Sequence, residues 1–391
     1  MASCLGVVFL AIFSAFFPFQ TGHGAEPTLK FLSFIHRHGE RAPIETYPTD
    51  PYKNDSYWPE GREELLRVGK VNMHNLGRFI RARYDGFIPR KYKATDLLVR
   101  STATNRAIMS AQLVLSGLYP PHDEQVWDRD IWVAKFWQPI PVQVLAPSID
   151  DMLCVSRVCP LLYEDRKNFT GGPYQDIREE NQEVITYIQN HTGLDFKSDS
   201  DIGIVYDNLL IEEEQGLKLP EWTKKVWPDT VISLYRRVSV ALKKNPTYTK
   251  INSGVLINDL LTTMRKKINE TESFNRFFNL YAAHDTTILG LWRGLGIKEP
   301  ESWPSFGALF IVELHEIENK HLIKILYKNR ATDEGLKVLS IRDCTKDNDK
   351  EGWCDFEVLE TLMQDAVVTN YDEECYSPSI SAADIPNEAS C

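Results

Sequence analysis

Positive charge is scarce in this 391-residue sequence: 44 Lys and Arg stand against 55 Asp and Glu, for a formal net charge of -11. A general nucleic-acid binder needs a basic face to displace counterions from phosphate backbones, so that class is excluded. Any phosphate site must then be a local concentration of arginines. Long hydrophobic runs are also scarce. Leu5 to Phe19 is apolar but short of the roughly 20 residues of a membrane span, and no later stretch approaches that length. The tail after Tyr371 is polar, which excludes a glycolipid-anchor signal. No two cysteines stand in a CxxC spacing, which argues against a zinc site. Internal repeats and low-complexity tracts are lacking as well.

The apolar run is followed by Gln20-Thr21-Gly22-His23-Gly24-Ala25, whose small residues suit signal-peptidase cleavage after Gly24, although no Lys or Arg precedes the run. Residues 1–24 are therefore read as a signal peptide and the mature chain as secreted, without a membrane anchor. Sequons beginning at Asn54, Asn168, Asn190 and Asn269 fit a glycoprotein. Six cysteines remain after cleavage, Cys154, Cys159, Cys344, Cys354, Cys375 and Cys391, an even number that an oxidising compartment lets pair.

Leu29 to Ile35 reads as a buried strand running into His36-Arg37-His38-Gly39. Leu97 to Val99 is a second strand, and Ala103 to Gly117 a helix capped by Ser101 or Thr102. Phe277 to Ala282 is a third strand, followed by Ala283-His284-Asp285-Thr286-Thr287 and a helix from Ile288 to Leu295 that ends at Gly296. Between the first two strands, Glu63 to Tyr84 carries apolar residues at helical spacing, as a crossover packing on a sheet would. Ala308 to His315 and His321 to Lys328 read as a hairpin turning at Glu318-Asn319 on the sheet edge. The fold expected is α/β, a mixed, mainly parallel sheet flanked by helices. Residues 139–245, rich in Pro, Asp, Glu and Trp, read as a smaller helical cap inserted between 25–138 and 246–391.

In open α/β sheets ligands bind beyond the carboxyl ends of the strands, and those ends carry Arg37, His38, Arg41, Arg106, His284 and Asp285. A phosphoryl group in transfer spreads negative charge over three oxygens, which arginine forks hold well. Neutral imidazole is a suitable nucleophile for phosphorus, and the adjacent carboxyl can protonate the leaving alkoxide and then deprotonate water. The pattern thus points to His38 as nucleophile and Asp285 as general acid, with Arg37, Arg41, Arg106 and His284 on the phosphate and no metal or other cofactor required. Each element alone has a plainer reading: Asp285 as a helix cap, Arg106 as a solvated helix residue.

Arg37-His38-Gly39-Glu40-Arg41-Ala42-Pro43, Arg100-Ser101-Thr102-Ala103-Thr104-Asn105-Arg106 and His284-Asp285 together resemble the histidine acid phosphatase family, in the branch of prostatic, lysosomal and insect venom acid phosphatases. Trp58-Pro59-Glu60-Gly61, Tyr119-Pro120-Pro121, Trp137-Gln138-Pro139-Ile140-Pro141-Val142 and Gly216-Leu217-Lys218-Leu219-Pro220-Glu221-Trp222 extend the likeness over most of the chain. The resemblance implies a phosphorylated His38, phosphate held by Arg37, Arg41, Arg106 and His284, proton donation by Asp285, a helical cap over the site, and frequently a homodimer. It also suggests the pairs Cys159–Cys375 and Cys344–Cys354, leaving Cys154 and Cys391 as partners. Glu64-Leu65-Leu66 departs from the Gln-Leu-Thr of many relatives, a matter of packing rather than chemistry.

The expected function is a secreted acid phosphatase that hydrolyses small phosphate monoesters. A phytase or lipid-phosphate phosphatase ranks lower, because the cap is net acidic where a phytase presents extra cations. A secreted binding protein that has lost turnover is the reading from another class. Trp127, Trp132 and Trp137 are read as core or dimer packing rather than as a substrate entrance.

Overall fold

The computed structural model of the chain describes residues 25–154, 159–242, 245–269, 274–298, 300, 302–344, 351–381 and 385. The N-terminal apolar run, Cys391 and Thr271 of the fourth sequon lie outside them. The strands are β1 (Leu29–Arg37), β2 (Leu97–Ser101), β3 (Gln143–Val144), β4 (Phe278–Ala283), β5 (Leu309–Ile317), β6 (Lys320–Lys328), β7 (Lys337–Leu339) and β8 (Cys354–Asp355). The helices are α1 (Arg67–Arg83), α2 (Asn105–Leu118), α3 (Pro160–Gly171), α4 (Pro173–Glu180), α5 (Gln182–Thr192), α6 (Asp201–Glu214), α7 (Asp229–Leu242), α8 (Pro246–Ile268), α9 (Asp285–Gly294), α10 (Phe356–Met363) and α11 (Tyr371–Glu374).

The strands form one sheet in the order β3-β2-β4-β1-β5-β6-β7, with β8 also on β6. The first four run parallel, and β5 joins β1 antiparallel. Both faces are covered. Leu32 and Phe34 of β1 meet Met73, Leu76 and Ile80 of α1 and Val114 and Leu118 of α2. Phe31 and Ile35, on the opposite face, meet Leu256 and Leu260 of α8 and Leu291 and Trp292 of α9. A strand buried on both sides needs an unbroken apolar run, which is what Leu29 to Ile35 offers.

Two boundaries and one placement differ from the sequence reading. β2 extends to Ser101 because Ser101 pairs with Ala282, so α2 starts at Asn105 behind Thr104, which makes no side-chain cap bond. α9 starts at Asp285 rather than at Ile288. The hairpin is interior, not at the edge: β5 lies between β1 and β6, and β6 is covered by β7. β5 is buried at every residue from Leu309 to His315, a pattern that an edge strand does not require. Its turn has positive φ at Glu318 (50°) and Asn319 (61°), matching a two-residue hairpin whose twist suits the flanking strands.

The end of α3 and helices α4 to α7 bury a core of their own, including Phe169, Tyr174, Ile188, Val205, Leu209 and Val231. Within the range expected of the cap, β3 pairs with β2 in the main sheet, and Leu162 of α3 packs with Ile251 of α8 and Tyr371. Disulfides join Cys159 to Cys375 and Cys344 to Cys354. Cys154 is disulfide-bonded too. Trp127, Trp132 and Trp137 are not core residues: they are exposed, Trp132 by 73%. No helix among the described residues is long and apolar enough to cross a membrane.

Candidate active site

The parallel strands β2, β4 and β1 are neighbours, so their carboxyl ends deliver three polar segments to one place. Backbone bonds fix the register: the His38 amide donates to the Ala283 carbonyl (3.0 Å) and the Thr102 amide to the Ala282 carbonyl (3.1 Å). The six expected residues, Arg37, His38, Arg41, Arg106, His284 and Asp285, converge there. All but Asp285 are less than 9% exposed, and the Asp285 side chain is 19% exposed. Arg106 is therefore not a solvated helix residue.

Gly39 lets the loop turn against α1. A Cβ on it would lie 2.8 Å from Met73 Cγ and 2.9 Å from the Gly69 carbonyl, closer than packing allows. Its amide donates to Ser110 Oγ of α2 (3.1 Å). The loop after β1 is thus pinned by both helices of one face, which holds His38 rigidly.

His38 Nδ1 lies 2.9 Å from the Gly39 carbonyl. A carbonyl only accepts, so Nδ1 carries the proton and the Nε2 lone pair is available. Burial, reinforced by Arg37, Arg106, His284 and Arg41, holds His38 well below the usual imidazole pKa of 6.5. The ring therefore stays neutral to lower pH than a free imidazole would. His284 is lowered by burial and by Arg106, and its Nε2 is 3.0 Å from Thr102 Oγ1. The two rings meet edge to face, 5.4 Å between centroids. His36, two residues before His38, is wholly buried within β1 and bonded to the Arg37 carbonyl.

The arginines are held by partners that the sequence reading did not identify. Arg37 donates to the Pro304 carbonyl (2.8 Å), lies 4.1 Å over the Phe306 ring and reaches Asp285 Oδ2 at 3.5 Å. Arg41 makes a two-pronged pair with Asp207 of α6, at 2.8 and 2.9 Å. Arg106 donates to Glu63 Oε2 at 2.9 Å. The Nε–H groups of Arg37 and Arg41 are buried and find no acceptor among the described residues, which suits an anion. No local motif marks Asp207 or Glu63, which lie 166 and 43 residues from their partners.

Asp285 combines a structural and a chemical placement. Oδ1 accepts from the Thr286 amide (2.7 Å) in the first turn of α9, and Oδ2 accepts from the Trp303 indole N–H (2.7 Å). Trp303, also missed in the sequence, fixes the carboxyl beside Arg37. A cavity of about 370 Å³ opens over Arg37, Arg41 and Asp285 between this floor and helices α6 and α7. The arrangement can bind a phosphoryl group, present a nitrogen lone pair to it and offer a carboxyl to its leaving oxygen.

Residues 28–328 match the family described as the histidine phosphatase superfamily (branch 2). Prostatic acid phosphatase of Bos taurus is 30% identical over 349 residues, covering 86% of this chain and 86% of that protein. Lysosomal acid phosphatase of Homo sapiens is 30% identical over 360 residues, covering 89% of this chain and 80% of that one. Among solved structures, the apo form of Hafnia alvei phytase superposes with a TM-score of 0.66 at 15% identity, over 90% of this chain and 98% of that one. That likeness is one of fold.

Proposed function

Because this chain belongs to the histidine phosphatase superfamily (branch 2), we propose that it is a secreted acid phosphatase working through a phosphohistidine on His38, with Asp285 as proton donor. The reaction is hydrolysis of phosphate monoesters to an alcohol and inorganic phosphate. The observation that carries the residue assignment is the tautomer of His38: Nδ1 is spent on the Gly39 carbonyl, leaving the Nε2 lone pair among three arginines.

In the first step Nε2 forms the N–P bond as the P–O bond to the leaving oxygen breaks. That oxygen takes the electron pair and the Asp285 proton. Arg37, Arg41, Arg106 and His284 hold the phosphoryl oxygens, where charge accumulates. In the second step water gives a proton to Asp285 as its oxygen attacks phosphorus. The N–P bond breaks back to Nε2 and phosphate departs. Trp303 and Thr286 keep the carboxyl aimed through both steps.

Hydrolysis of p-nitrophenyl phosphate in the presence of EDTA tests this. We expect His38→Ala to lower kcat at least about 1000-fold; undiminished turnover in that variant would remove the mechanism. Binding of vanadate without turnover of any monoester would instead favour a protein that kept the site and lost the reaction.

The same reading takes residues 1–24 as a signal peptide, 25–138 and 246–391 as the phosphatase domain and 139–245 as the cap. Exposure of Asn54, Asn168, Asn190 and Asn269 supports glycosylation there. A bridge from Cys154 to Cys391 would complete the disulfides. The exposed Trp127, Trp132 and Trp137 support a homodimer.

A further inference from the structure

The cavity over Arg37, Arg41 and Asp285 holds about 370 Å³, more than a phosphoryl group fills, so the remainder must receive the alcohol. Two helical stripes wall it. α6 and the residue before it present Ser200, Gly203, Ile204 and Asp207, and α7 presents Tyr235, Val238, Ser239 and Leu242. Both follow the i, i+3, i+4, i+7 spacing of a single helix face. Tyr206 stacks on Tyr235 with 4.2 Å between centroids and 9° between planes. Tyr235 in turn lies 5.1 Å from Trp303, whose indole holds Asp285. An aromatic wall therefore runs from the cavity to the Asp285 carboxyl.

The charges in the lining are asymmetric. Its cations are Arg37 and Arg41, both on the floor, while Glu45, Asp199 and Asp207 stand above them. Asp207 is paired with Arg41, and Asp199 with Arg166 at 3.3 Å. Glu45 has no ion-pair partner among the described residues. A second phosphate on the alcohol would meet carboxylates and, among the described lining residues, no cation beyond Arg37 and Arg41.

Gly203 is the unexpected member of the wall. Glycine inside a helix costs stability relative to alanine. Packing does not require it here: a Cβ would meet one neighbour, Tyr235 Cε2, at an ordinary 3.6 Å. What a larger side chain would do is occupy the cavity.

We propose that Gly203 sets the depth of the leaving-group site, and that this site takes the apolar ring of a singly phosphorylated aryl alcohol and turns away esters bearing a second phosphate. The inference rests on the phosphatase reading and adds its substrate class.

The test compares kcat/KM for phenyl phosphate and 4-phenylphenyl phosphate, which differ in size and little in chemistry. Gly203→Leu should lower the ratio of the larger to the smaller substrate at least about 10-fold, with Gly203→Ala between it and the wild type. An unchanged ratio in both variants overturns the role of Gly203. If the leucine variant does not fold, the alanine variant decides, because its Cβ has room. On the wild type, 1,4-phenylene bisphosphate should be turned over at least about 10-fold less efficiently than phenyl phosphate, and Glu45→Gln should narrow the gap. Equal rates on the two would overturn the exclusion. No turnover of phenyl phosphate at all would defeat the phosphatase reading itself, whereas turnover without these preferences defeats only the selectivity.

Discussion

A histidine that attacks phosphorus has to be neutral, and His38 is kept so by burial and by the arginines that bind the phosphate. Because burial and the arginines depress its pKa, the nucleophile stays neutral to lower pH than an ordinary imidazole. The expected outcome is that kcat/KM for p-nitrophenyl phosphate does not fall between pH 6.5 and about pH 5. An acid limb centred near the ordinary imidazole value would contradict it. The residues most easily read in the sequence were those at strand ends, His38, Arg37 and Asp285. Glu63, Asp207 and Trp303 were not legible, because each acts through a contact made across the fold.

Among the elements, α6 joins the core it shares with α4, α5 and α7 to the segment that follows β1. Its outer stripe lines the cavity, and the face beside it docks on the loop that follows β1. Asp207 engages Arg41, the Asn208 amide donates to the Glu45 carbonyl (2.7 Å), and Ile211 packs with Ala42 and Trp58. Arg41 is 7% exposed, so removing its partner leaves a buried, unpaired charge. Asp207→Ala should destabilise the protein by about 2 to 4 kcal/mol, read from the urea unfolding midpoint. A loss below about 0.5 kcal/mol would mean that water already satisfies the guanidinium.

For the whole molecule, α6 also supplies a dependence of stability on pH. Glu212 and Asp50 are buried side by side, and among the described residues neither Glu212 oxygen nor Asp50 Oδ2 finds an N–H or O–H donor other than a carboxyl proton. Burial, with Asp50 adding to it, pushes Glu212 up to about 9 from 4.5. A raised pKa means that the fold binds this proton more tightly than the unfolded chain. The contribution is complete below 4.5 and is lost as the pH rises toward about 9. Stability should therefore decline from about pH 5 to 8, by up to about 1.4 kcal/mol per pH unit for one proton. Glu212→Gln, which cannot titrate, should flatten that slope; the same decline in the variant would assign it to other groups. The fold is thereby better suited to acid than to neutral water, in keeping with the chemistry of the site.

What the sequence by itself determined were features carried by neighbours along the chain: the apolar run of β1, the glycine after His38, the helix that opens at Asp285 and the acid balance of the charges. Short-range pattern and side-chain chemistry suffice for these. Tertiary structure decided what depends on distant segments meeting. Inserting β4 between β1 and β2 brought His284 and Asp285 to His38. Packing of β5 on β1 made the hairpin interior although its own residues read as an edge. Docking of α6 gave Arg41 its carboxylate and left Gly203 facing the cavity. Such contacts are fixed by which faces bury together, and no local spacing records them.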